Sequence, residues 1–354
     1  MCQLFSPIEL RSLTIRNRIF VSPMCQYSCV DGIPNNWHLV HYGSRAVGGA
    51  GLVMIEATGV VPEGRISPRD CGLWDDEQAE AFKPIAAFIA EQGAIPAIQL
   101  GHAGRKASTE PPWLGGKAAP PEAGGWQPFA PSPLAFAAGM PTPTELTESN
   151  LETICNAFVA AAERAFNAGF KVVEVHMAHG YLLHQFLSPL TNKRTDQYGG
   201  SLENRLRFPL QVAEQVRNSW PEELPVFVRI SATDWADKGW DLEQSVELCK
   251  KLKQLGIDLI DCSTGGLIPD AVIPVAPGFQ VPMATEIKKQ VAIATGTVGM
   301  ITKREEAEQN LGKGQADAVF LARELLRDPH WPLRAAKTLN ADQAWPHQYE
   351  RAKV

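Results

Sequence analysis

No stretch of the chain approaches the ~18 consecutive apolar residues that a bilayer-spanning helix needs, so membrane insertion is not expected. Lysine and arginine never gather into a block, and acids outnumber bases 39 to 33 for a formal net charge of −6. A nucleic-acid backbone is therefore not an expected partner. The seven cysteines (Cys2, Cys25, Cys29, Cys71, Cys155, Cys249, Cys262) are odd in number and contain no CxxC pair. That pattern fits reduced thiols serving mostly as small buried hydrophobes, not a disulfide framework. No GxGxxG joins a strand to a helix, because Gly48-Gly49-Ala50-Gly51 precedes an apolar run instead of coming after one. A Rossmann-type dinucleotide domain is thus not expected. Residues 1–7 lack a basic segment leading into a long apolar core, and Arg11, Arg16 and Arg18 interrupt the residues after them. The expectation is a cytoplasmic protein without an export signal.

What is present is regular. Hydrophobic residues make up 45% and charged residues 20% of 354, enough for one large barrel or two ordinary domains. Apolar, β-branched runs recur at 18–24, 51–57, 95–100, 172–176, 226–231, 259–263, 291–296 and 318–322. They are continuous, not alternating, as in parallel strands covered on both faces. Between them, 76–91, 149–168, 202–219, 242–255 and 303–311 carry the 3.6-residue period of amphipathic helices. Eight such units predict a single (β/α)8 barrel spanning residues 1–354, with a doubly wound sheet as the alternative.

Residues 107–147 break the rhythm with Pro111-Pro112, Gly115-Gly116, Pro120-Pro121 and Gly124-Gly125. A segment this long after the third strand is expected to cap the barrel as a lid, with Trp113, Trp126, Phe129 and Phe136 packed beneath it.

In a barrel enzyme the site is built from the carboxyl ends of the strands. Here those ends carry Ser22-Pro23-Met24-Cys25-Gln26-Tyr27, Glu56-Ala57, Gln99 through Lys106, His176 with His179 and Tyr181, Arg229, Ser263 through Gly266, Gly296 through Gly299, and Ala322-Arg323. The His176/His179 pair admits three readings: loop caps, a metal pair, or donors in a site. No further His or carboxylate stands at a ligand spacing, so no metal is expected. The last two turns, with small residues and Arg323, suit a phosphomonoester.

Together the segments SPMCQY, QLGHAGRK, HMAHGY, 192–205 and 323–329 resemble the Old Yellow Enzyme family, most closely its thermophilic-like branch of ene-reductases, over residues 4–351. The resemblance implies noncovalently bound FMN. Ser22, Pro23, Met24 and Cys25 would then line the flavin, Ala57 would approach its C4 carbonyl, and Gln99 would hold its pyrimidine edge. Arg229 would face N1 and O2, and Gly299, Ala322 and Arg323 would hold the phosphate. Position 322 is Ala where the branch often has Gly, and 107–147 is longer than in the shortest members.

The implied activity is that of an NADPH (or NADH) dehydrogenase that reduces activated C=C bonds of α,β-unsaturated carbonyl or nitro compounds. Flavin N5 would carry the hydride, with both substrates using one face in ping-pong order. His176 and His179 would bind the substrate's oxygen, Tyr181 would supply the proton, and Tyr27 would cover the substrate. An aldolase or lyase would want a Schiff-base lysine or a metal cage at the strand ends, and neither is seen. An iron–sulfur relative would want a cysteine cluster after the barrel, and no Cys follows Cys262. A flavin-binding protein without turnover is the remaining rival. The resemblance further implies a homodimer or tetramer in which residues 345–354 lie at an interface and Arg351 enters the neighbour's site.

Overall fold

The computed structural model describes residues 2–353. Eight parallel strands close into a barrel: β1 (Ile19–Val21), β2 (Leu52–Gly59), β3 (Ile95–Gly101), β4 (Val172–Met177), β5 (Val226–Ser231), β6 (Leu259–Ser263), β7 (Ala294–Thr297) and β8 (Ala318–Leu321). Each strand pairs with the next in sequence, and β8 returns to β1 through Val319 opposite Ile19. Helices cover the outside. Asn36–Val47 follows β1, Asp76–Glu91 follows β2 and Glu148–Asn167 follows the insertion after β3. Their starts are fixed chemically: Asn35, Asp75 and Thr147 each accept backbone N–H groups of the first turn in a capping box.

Side-chain alternation sorts the barrel interior into layers. At the amino end, the antiparallel pair Ile8–Leu10 and Leu13–Ile15 plugs the barrel, and Ile8, Leu10 and Ile15 join Phe20, Leu52, Phe227 and Phe320 in one buried cluster. Phe20 meets Phe320 edge-on at 5.3 Å between centroids and stacks near Phe227 at 6.4 Å. Gly296 is obligatory here, since a Cβ would stand 2.2 Å from the Phe320 ring. Continuing the alternation upward, Gln99, Glu174, Arg229 and Asp261 form a buried polar layer above the phenylalanines.

β2 alone departs from alternation. Its register against β3 slips between Ile55 and Ala57, so Ala57 faces Gln99 and the extra residue, Glu56, bonds instead with Tyr42 of the helix outside.

Two strand boundaries differ from the sequence expectation by three residues, the others by less. The run 291–296 is not wholly strand: Val291 is the last residue of helix Val281–Val291, and Ala292 closes that helix with a φ of +53° before β7 begins at Ala294. One apolar residue served the buried face of a helix and looked like strand. At the first strand, pairing stops at Val21, and residues 22–29 leave the sheet as an extended loop across the carboxyl end.

The insertion at 107–147 is ordered by specific contacts with the carboxyl-end loops. Trp126 Nε1 donates to the Glu63 carbonyl at 2.9 Å, and the Arg65 guanidinium lies between the Trp74 and Trp126 rings. Phe136 packs under Lys106 and Arg105. Trp113 is largely exposed but sets its ring edge against Tyr27 at 5.7 Å.

Candidate active site

β4 ends in the paired histidines and tyrosine that stand out in the sequence. Val172, Glu174 and His176 point inward by alternation, so His176 stands at the top of the barrel on the layer that begins with Glu174. The chain then turns sharply through His179 (φ +57°) and Gly180. A Cβ at Gly180 would lie 2.2 Å from the Gly266 carbonyl oxygen, so glycine is required where this turn meets the loop after β6. Behind it, the Gly180 N–H donates to His184 Nδ1 at 2.9 Å, and His184 Nε2 lies 2.9 Å from Asp234 Oδ1.

The turn gathers three rings. His176 and His179 are 5.4 Å apart between centroids, and His176 and Tyr181 are 5.1 Å apart. His179 is anchored twice: its backbone N–H donates to Ser231 Oγ at 2.9 Å, and its Nε2 lies 2.7 Å from Ser263 Oγ. His176 Nδ1 has no hydrogen-bond partner within the chain. Burial first, then the nearby Arg229 cation, pushes both imidazoles well below the usual histidine range. They are neutral at pH 7 and donate hydrogen bonds without bringing a charge. Burial raises the Tyr181 phenol well above its usual value.

Beneath these rings lies the polar layer. Arg229 Nε is 3.1 Å from Asp261 Oδ2, and Gln99 Nε2 donates to Glu174 Oε1 at 2.7 Å. Burial raises both carboxyls, and Arg229 opposes the shift. Ser22 Oγ, buried at the end of β1, also lacks a hydrogen-bond partner within the chain. Buried polar groups are normally satisfied, so the unmet His176 Nδ1 and Ser22 Oγ at the barrel mouth fit a polar ligand there. To one side, Gly299, Met300, Ala322, Arg323 and Arg327 line a cavity of about 220 Å³ at the ends of β7 and β8. Gly299 sits at φ +127°, where glycine is favoured, while Ala322 has a negative φ of −105°. This donor set and this phosphate-sized recess fit FMN.

The structure brings Ser22, Pro23, Met24, Cys25, Tyr27, Ala57, Gln99, His176, His179, Tyr181 and Arg229 to the strand ends, with Gly299, Ala322 and Arg323 beside them. Arg351 is not among them. It lies exposed in the 3₁₀ turn His347–Ala352, and Tyr349 from that turn packs near His330 of its own chain at 5.9 Å. Lys106 joins the site although no sequence pattern gives it a role. Its Nζ donates to the His179 and Gly266 carbonyls, both at 2.9 Å, and stands 5.1 Å from the Tyr181 ring centroid. It belongs to a 3₁₀ turn after β3, where no helix or strand period shows which way a side chain points.

Comparison with known proteins agrees with this architecture. Residues 3–342 match the NADH:flavin oxidoreductase / NADH oxidase family. The chain is 47% identical over 350 residues to an NADPH dehydrogenase of Geobacillus sp. (strain WCH70), covering 98% of each. Among solved structures, an Old Yellow Enzyme homologue from Zymomonas mobilis superposes with a TM-score of 0.79 at 26% identity, covering 98% of this chain and 97% of that one. A 2-naphthoyl-CoA reductase superposes with a TM-score of 0.87 at 26% identity over 95% of this chain, which spans only 52% of that larger protein. The fold and strand-end chemistry define a barrel oxidoreductase of the flavin-dependent, NAD(P)H-oxidising class. The chain belongs to the NADH:flavin oxidoreductase / NADH oxidase family and is of the Old Yellow Enzyme type. Among the described residues no helix is long and apolar enough to cross a membrane.

Proposed function

We propose that this enzyme is an ene-reductase, which uses NADPH or NADH to reduce the activated C=C bond of α,β-unsaturated carbonyl or nitro compounds. The observation that carries this reading is the pair of buried, neutral imidazoles facing Tyr181 above the polar layer. Bound FMN supplies the hydride-carrying redox centre. Along it would lie Ser22, Pro23, Met24 and Cys25, with the Ala57 backbone and the Gln99 amide at its pyrimidine edge. Arg229 would place its fixed cation where the reduced ring gathers negative charge, and Gly299, Ala322 and Arg323 would hold the phosphate.

His176 and His179 act on the substrate's carbonyl or nitro oxygen. For His179 to donate from Nδ1 to that oxygen, the one hydroxyl hydrogen of Ser263 must point to His179 Nε2 at 2.7 Å and not to Gln280 Oε1 at 3.3 Å. Hydride addition at the β carbon moves charge onto that oxygen, and two fixed donors stabilise it more than they stabilise the ground state. Tyr181 then gives its proton to the α carbon. Tyr27 and the 107–147 lid cover the substrate from above. With no second nucleotide domain, both substrates use one site in turn. We further propose a homodimer or tetramer of dimers in which the partner's tail, through its arginine at position 351, completes that site.

The test is anaerobic turnover of NADPH with cyclohexenone, a maleimide and a nitroalkene, with the products identified. Saturated products support the reading. NADPH oxidation that proceeds with dioxygen or quinones but yields no saturated product from any of the three would overturn it.

A further inference from the structure

Outside the barrel mouth, the loop after β1 and the loop after β2 bring together two cysteines that are 42 residues apart in sequence. Cys29 Sγ and Cys71 Sγ stand 3.1 Å from each other, both buried. His38 Nε2 lies 3.4 Å from Cys29 Sγ and 3.5 Å from Glu56 Oε1. The two sulfurs and the imidazole nitrogen fall within 4.8 Å of one another, a composition that would suit zinc.

The hydrogen bonding excludes that reading. His38 Nδ1 accepts the Asn35 backbone N–H at 3.0 Å as part of the capping box that starts helix Asn36–Val47. A neutral imidazole whose Nδ1 accepts must carry its proton on Nε2, the nitrogen aimed at the cluster, so no lone pair is left there for a metal. The sulfurs are also too close. Two thiolates at ~2.3 Å from one tetrahedral zinc stand about 3.8 Å apart. What the arrangement does suit is a bond between the sulfurs, which needs an approach of about 1 Å to reach the ~2.05 Å of a disulfide. The His38 Nε2–H is aimed at Cys29 Sγ at 3.4 Å.

We propose that Cys29 and Cys71 are a reactive dithiol that hydrogen peroxide converts to a disulfide, tying the β1 loop to the β2 loop. Cys29 is the sulfur attacked first: it is 4% exposed against 0% for Cys71, and the His38 Nε2–H is aimed at it. The Cys29 sulfur bonds to one peroxide oxygen and the O–O bond breaks. The other oxygen leaves as water with the thiol proton, and a sulfenic acid remains. The Cys71 sulfur then bonds to the Cys29 sulfur and the S–O bond breaks. The hydroxyl leaves as a second water with the Cys71 proton. Two thiols are oxidised by two electrons, and one peroxide is reduced to two waters. The bond would be felt at the flavin side, because Glu56, facing His38, also accepts the backbone N–H of Gln26 at 2.7 Å, the residue after Cys25.

The test uses the flavin-loaded enzyme, reduced, desalted and exposed to hydrogen peroxide before denaturation and alkylation. Two of the seven thiols should escape alkylation, and the tryptic peptide containing Cys29 should be joined to the one containing Cys71, with fragmentation placing the bond at Cys29 and not Cys25. In C71S the reaction should stop at a Cys29 sulfenic acid that dimedone traps, and in C29S neither product should form. The wild-type peptide map alone decides the matter if a variant fails to fold. All seven thiols alkylated after peroxide, a bond made to Cys25, or one equivalent of zinc retained by the untreated wild-type enzyme through these cysteines would overturn the proposal.

Discussion

The Lys106 ammonium sits 5.1 Å from the centre of the Tyr181 ring while it donates to the His179 and Gly266 carbonyls. With Arg229, it is a cation placed to act on the phenolate that remains when Tyr181 gives up its proton. Burial pushes Lys106 down to about 8. Below that pH it is charged and above it neutral, so reoxidation of the reduced enzyme by an enone should hold its rate up to about pH 8 and fall beyond it. Lys106→Met should be slow throughout and lack that descending limb, as pH-resolved stopped-flow traces will show. Stability has the opposite sign. Between about 8 and the ~10.4 of an exposed lysine, the unfolded chain binds more protons than the folded one, so this group's contribution rises with pH.

Replacing both His176 and His179 with alanine should slow enone reduction by ~2–4 kcal/mol of transition-state stabilisation and weaken binding of phenolate-type ligands, while FMN content stays near normal. Both imidazoles are held well below the usual histidine range. Their contribution should therefore not vary between pH 6 and 8. Unchanged turnover in the double variant would reduce the pair to a structural role.

Tyr181→Phe should separate the two halves of the cycle. Reduction by NADPH should proceed almost as in the wild type, and reoxidation by enones should slow markedly, because the phenol proton is needed only after hydride has left. Equal slowing of both halves would indicate that the ring positions substrate without donating a proton.

Much of the fold and site is legible in sequence, for physical reasons that also set its limits. Parallel strands buried on both faces leave continuous apolar runs, and all eight appear. Period-two alternation along β4 and β5 is enough to turn His176 and Arg229 into the barrel. The bulge at Ile55/Ala57 cannot be read from the sequence, since the lone Glu56 within the run 51–57 does not show its direction and only the pairing with β3 shows that it turns outward to Tyr42. Lys106 is hidden because a 3₁₀ turn has no period from which to read direction. The contact of Cys29 with Cys71 exists only once β1 and β2 lie side by side, and no spacing within the sequence encodes it.

The tail offers a separate test. In one chain Arg351 is exposed in the 3₁₀ turn His347–Ala352 and is not among the residues at the strand ends, an arrangement that makes sense if it serves a neighbour. Arg351→Ala, or removal of residues 346–354, should raise the apparent KM for enone or NADPH and leave bound FMN in place. Sedimentation should show a dimer or tetramer for the full chain. A fully active monomer after truncation would contradict this assignment.

The central claim is that one flavin site serves both substrates in turn, with the donors on β4 acting on the second. Anaerobic stopped-flow spectroscopy on the purified enzyme tests it most directly. NADPH should bleach the yellow absorbance of the oxidised flavin in a first mixing, and cyclohexenone should restore it in a second, with both rates fast enough to account for turnover and with competition between NADPH and enone in the steady state. An enzyme whose colour NADPH bleaches, but which no enone, maleimide or nitroalkene restores at a rate matching turnover, would contradict the account.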